Sequence, residues 1–227
     1  MKRYEQATRV ITAFFAVLLG FGLKKLLDQE EFTPANAQWP CFFMSVLLFL
    51  RFLLGSSNHM WFEFVRPDIS QTSTFTASGI RILNDFIFLV VFGLIGVAIC
   101  YSTTLDEFLK LNLLLTGVAL IWVVVYAAIF KSRKRTREDA IPEGEWGYWW
   151  WINLLQFSVV FAVLHLTTPN EWGTILWPSY FPGEAWDWSL AALVIVYFVI
   201  FIIDFRKQLA VLDTSSPGAQ PANRTVG

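Results

Sequence analysis

The sequence predicts an all-α fold: a polytopic membrane protein, a bundle of six transmembrane helices with both termini in the cytoplasm (N-in/C-in). Three observations carry that reading. Of 227 residues, 56% are hydrophobic and only 15% are charged, where a soluble domain carries about 25% charged residues. The apolar residues gather into six stretches. Lys and Arg gather in the connectors between alternate stretches.

A helix needs about 20 mostly apolar residues to cross the hydrocarbon core, with roughly 17 as a lower bound. The stretches at residues 10–27, 39–54, 80–101, 111–130, 149–166 and 188–203 meet or approach that length and make one transmembrane domain, residues 1–207. In the first, the uninterrupted apolar run stops at Leu23, so Lys24 and Lys25 must reach outward to water. That stretch also has the outline of a secretory signal, with Lys2 and Arg3 before it and the small-x-small triplet Ala35, Asn36, Ala37 after it. The triplet lies too far beyond the apolar run for cleavage, and an uncleaved helix is expected. The second and sixth stretches are short. Trp39, Trp61, Trp186 and Trp188 lie where aromatic belts extend them into the interfaces.

The connectors differ in character. From His59 to Arg66 aromatic and polar residues alternate, Pro67 closes the run, and residues 69–79 are rich in Ser and Thr. This pattern predicts an interfacial stretch followed by a flexible loop. Residues 168–187 hold Trp172, Trp177 and Trp186 among Pro169, Pro178 and Pro182, too interrupted to span, and are expected to fold back on the outer membrane face. Residues 208–227 show no periodicity and predict a disordered cytoplasmic tail.

Orientation follows from positive charge, which is retained on the cytoplasmic side. With the N-terminus inside, the cytoplasmic segments hold Lys2, Arg3, Arg9, Arg66, Arg81, Lys131, Arg133, Lys134, Arg135, Arg137, Arg206, Lys207 and Arg224. The outer connectors hold only Lys24, Lys25 and Lys110. Dropping one middle helix would put the Lys131 to Arg137 cluster on the wrong side. The expected location is a bacterial cytoplasmic (inner) membrane.

Ionisable and amide side chains inside a membrane are costly, and each is a candidate for function. Here they are Arg51, Asn84, Asp85, Asn153, Gln156 and Asp204. At about 1.5 Å per residue, Arg51, Asp85 and Asn153 each lie roughly 6 Å from the cytoplasmic end of their stretch. They are expected to share one polar layer. Arg51 is expected to pair with Asp85, with Asn84, Asn153 and Gln156 completing a hydrated site open to the cytoplasm. A guanidinium and carboxylate fixed together suit an ion or anion path better than a proton carrier. The bland readings are an ion pair that orients helices, or an arginine reaching back to lipid phosphates. Asp204 is read as a solvated boundary charge, because Arg206 and Lys207 follow it directly.

Other residues are read more plainly. His59 and His165 fall at opposite ends of the bundle, so they cannot share a metal or haem, and no metal site or cofactor is expected. Cys41 and Cys100 fall on the same side; a bridge is permitted there, and two unpaired thiols is the simpler reading. Lys131, Arg133, Lys134, Arg135 and Arg137 are expected to contact anionic headgroups. Net charge is −1, so no nucleic acid is expected. The phosphate loop, dinucleotide fingerprint, HExxH, GxSxG and TVGYG signatures are missing from the chain.

The leading expectation is an ion or small-solute permeation path, or a membrane-perturbing pore, with the polar layer at its heart. A homo-oligomer would widen such a path. The alternative is a non-conducting scaffold or sensor that anchors a cytoplasmic protein through the Ser/Thr-rich loop and the basic run. A lipid enzyme ranks third, with His59 and Glu63 as its acid and base; no catalytic residue is otherwise indicated.

Overall fold

The structure is a computed structural model that describes residues 2–32, 35–64, 75–131, 143–167 and 184–214, with side chains over the central parts of the helices. The described residues form six α-helices and no strand: α1 Lys2–Leu27, α2 Gln38–Phe64, α3 Phe75–Cys100, α4 Leu105–Lys131, α5 Glu143–Thr167 and α6 Glu184–Thr214. A short 3-10 turn, Ala35–Ala37, leads into α2. Pro40 sits in the first turn of α2, where its missing N–H costs nothing.

Every helix is longer than its apolar run, because intrahelical hydrogen bonding continues where hydropathy does not. α2 reaches Phe64 through the stretch expected to be interfacial, and α3 begins at Phe75, inside the residues expected to be a flexible loop. α6 runs on to Thr214, so residues 208–214, expected in a disordered tail, are helical. Among the described residues, three stretches are long and apolar enough to cross a membrane: Gln38–Gly55, Leu105–Val125 and Gly147–Leu164. α3 has a shorter apolar stretch, Phe86–Cys100.

The helices close into a ring in the order α1, α3, α4, α5, α6, α2, and α2 sits inward far enough to touch α3 and α4 as well. The outside of the ring is as apolar as the inside. On α1, Phe15, Leu19 and Leu26 are buried at helical spacing, while Val10, Phe14, Val17 and Phe21 are exposed at the same spacing on the opposite face. A helix apolar on both faces has its outer face matched to lipid. α1 and α3 approach closely through glycine. A Cβ on Gly93 would run into the Phe15 ring, and one on Gly22 would stand 2.9 Å from Cys100 Sγ. Small residues at such crossings let helices gain packing where lipid removes the hydrophobic drive for association.

One end of the bundle is dry. Leu26, Cys41, Met44, Ile99, Cys100 and Leu109 are fully buried there, with Leu105 and Phe108 at 1% exposure. Both cysteines are free thiols. The connections at this end are built from local hydrogen bonds. Gln38 Nε2 donates to the carbonyls of Leu26, Leu27 and Gln29 at 2.9, 3.1 and 2.7 Å, capping the C-terminus of α1. Thr104 caps α4 by accepting from the Glu107 N–H at 3.2 Å, and Glu107 returns to accept from the Thr103 N–H at 3.0 Å.

Candidate functional site

The polar residues of the interior fall on heptad-like stripes. On α6 the buried positions are Leu190, Leu193, Tyr197, Ile200 and Asp204, spaced by three and four. On α2 they include Cys41, Met44, Leu48 and Arg51, and on α5 Asn153, Gln156, Val160 and Val163. Spacing of this kind keeps one face of each helix toward the bundle axis. Arg51 (8% exposed), Asn153 (5%), Gln156 (1%) and Asp204 (1%) therefore meet inside the protein.

Arg51 is the hub. Its Nε donates to Asp204 Oδ2 in an ion pair, its Nη1 to Gln156 Oε1, and its Nη2 to Asn153 Oδ1 at 2.9 Å. One side chain of α2 thus ties α5 to α6. Asp204 uses its other oxygen to accept from the Tyr148 hydroxyl at 2.6 Å. Lys207, nearly one turn beyond Asp204, places its Nζ 3.7 Å from the centroid of the Tyr148 ring.

A second polar group lies toward the dry end. The Tyr197 hydroxyl donates to Asn112 Oδ1 at 3.0 Å. Asn112 in turn donates to the Phe108 carbonyl at 2.9 Å. Arg51, Asn153, Gln156, Asp204 and Tyr148 thus form one hydrogen-bonded group, and Tyr197 with Asn112 forms another. Along α6, Tyr197 to Lys207 is ten residues, or about 15 Å, half the thickness of a hydrocarbon core. None of Arg51, Asn153, Gln156 and Asp204 has a buried side-chain nitrogen or oxygen without a partner.

Arg51 pairs with Asp204; the side chains of Asn84 and of Asp85, the acid expected for Arg51, lie outside the described residues. One expectation is corrected. Asp204 is not a solvated boundary charge, because it lies on the inward stripe of α6 while Phe205 and Arg206 turn outward. Nor does Arg51 reach back to the lipid surface. Helical side chains lean toward the N-terminus, which carries an arginine of α2 toward the apolar stretch and away from the Phe64 end. The helix itself continues thirteen residues past Arg51, but the apolar stretch ends at Gly55, so the shallow depth of about 6 Å holds when measured from there.

Asn112, Tyr148 and Tyr197 were not singled out from sequence. Each stands in an apolar run where a tyrosine reads as an aromatic anchor and an asparagine as a tolerated polar residue. The basic run from Arg133 to Arg137 lies outside the described residues, and Lys131 closes α4. The side chains of His59, Glu63 and His165 are also outside them. Among the described residues no group of three or more His, Cys, Asp and Glu could hold a metal ion. A groove of about 340 Å³ between α2 and α6 is lined by Phe43, Val46, Leu47, Val194, Ile195 and Phe198. Nothing in that lining could orient a polar ligand.

Comparison with known proteins adds no kinship. No family model, no curated protein and no solved structure matches the chain. Function has to be argued from the arginine-centred layer alone.

Proposed function

We propose that the chain is a six-span protein of a bacterial cytoplasmic membrane, with both termini inside, that provides a path for an ion or small solute gated at the Arg51 layer. The orientation rests on the excess of Lys and Arg in the alternate connectors. The path rests on one observation: a guanidinium and a carboxylate are buried between α2, α5 and α6, at the foot of a column of polar side chains that spans about 15 Å along α6. Burying charges costs several kcal/mol per ion, and docking helices does not require it. The described arrangement is the closed one, since the column stops at the apolar plug of Leu105, Phe108 and Leu109. Apolar constrictions of this kind gate by excluding water.

Reconstituted protein should dissipate a gradient of at least one small ion across liposomes, and Arg51→Leu should abolish that flux. Liposomes that hold every gradient tested would remove the path. The second reading, a non-conducting scaffold or sensor for a cytoplasmic partner, draws on the same network, because a layer whose buried atoms are all partnered is also what locking three helices together requires. Under that reading, deletion of Gln71 to Ser78 abolishes recovery of the partner while membrane insertion is unchanged.

A further inference from the structure

We infer that the Arg51 layer is a binding site for a small monocarboxylate anion, with Asp204 as its tethered resident and Tyr148 as its lid. The inference names the solute class for the proposed path and rests on that reading.

The division of labour around the guanidinium carries the argument. Gln156 and Asn153 hold its two terminal nitrogens through neutral amide oxygens, which position the fork without cancelling its charge. The charge is met by Asp204 alone among these partners. The Asp204 carboxylate lies in a slot with an arginine edge on one oxygen and a tyrosine hydroxyl on the other. Those are donors that recognise a free carboxylate, one for each oxygen, and two donors set apart in this way suit a two-oxygen anion better than a spherical halide. The slot is also sized. An aspartate side chain beyond its Cα is acetate, and Arg51, Asn153 and Gln156 behind it are nine-tenths or more buried, so acetate or formate fits where a larger acid does not.

The entrance has a matching construction. Tyr148 is partly buried and covers Asp204 on the side facing the start of α5, with Lys207 over its ring. Rotation of the ring would uncover the slot. An arriving carboxylate would then compete with Asp204 for Arg51, so binding and displacement of the resident acid are one equilibrium.

The test uses the full chain in nanodiscs, with thermal unfolding followed against sodium acetate, sodium chloride and acetamide. Asp204→Gly, which removes the Cβ with the carboxyl group, empties the slot. The variant should show saturable stabilisation by acetate, with an apparent Kd lower than that of the unsubstituted protein by about 5- to 150-fold, and none by acetamide, which has the same shape without the charge. Adding Arg51→Gln should erase the effect. If Asp204→Gly does not fold unaided, refolding by acetate and not by acetamide is the same result, read as yield. Equal responses to acetate and acetamide, or a response that survives Arg51→Gln, would overturn the inference. Because the readout is stability, it stands apart from conduction: ion flux without acetate-specific stabilisation removes the anion site and leaves the path.

Discussion

The two ends of this bundle are held together in different ways. At the end where α4 begins, charge plays no part in the interior: Ser102 Oγ donates to the Ile99 carbonyl at 2.6 Å, Asn112 and Thr116 donate to carbonyls four residues back, and the polar links between helices, Gln38 to the end of α1 and Tyr197 to Asn112, are neutral. Most contact between helices is left to Leu26, Met44, Ile99, Phe108 and Leu109. Around Arg51 the satisfaction is between helices, and one charged side chain serves three of them. Local satisfaction tolerates small shifts between helices. A shared guanidinium does not, which makes the Arg51 end the place where a movement of α6 must be felt.

This contrast orders the effects of substitution. Asp204→Ala leaves a buried, unpaired guanidinium and should cost about 3–5 kcal/mol in denaturant unfolding in detergent. Phe108→Ala at the dry end removes packing without stranding a charge and should cost less, about 2–3 kcal/mol, since lipid weakens the transfer component that drives such losses in water. If the dry-end change proved the larger of the two, the distinction between the ends would fail. Gly93→Ala sets a Cβ against the Phe15 ring and should cost about 1–3 kcal/mol by pushing α1 from α3, with Phe15→Leu restoring part of it in the same assay. Tyr148→Phe deletes one hydrogen bond to Asp204 and should cost about 1 kcal/mol. Lys110→Ala breaks the exposed pair with Asp106, 2.5 Å apart, and should change stability by less than about 0.5 kcal/mol.

Much of the fold was legible because hydropathy reports directly on helices in a membrane. The extensions were not: Phe64, Phe75 and Thr214 bound helices that continue into polar sequence, where backbone hydrogen bonding decides and composition is silent. The site was legible in part. Arg51, Asn153 and Gln156 stand out as costly residues in apolar runs, and depth along the helix places Arg51 and Asn153 at one level. Asp204 was misread as solvated because adjacency to Arg206 and Lys207 was weighed above helical phase. The spacing from Leu190 through Leu193, Tyr197 and Ile200 to Asp204 already puts the aspartate on the inward stripe. Tyr148 and Tyr197 carried no distinguishing signal, since a hydroxyl in a membrane helix declares itself only when its partner is known.

The central claim is that Arg51 and Asp204 act as a single buried unit, and a double-mutant cycle in denaturant unfolding tests it most directly. Arg51→Met and Asp204→Leu should each lose about 3–5 kcal/mol, while the double variant recovers most of that loss because no charge is left unpaired. Losses that simply add would contradict the account.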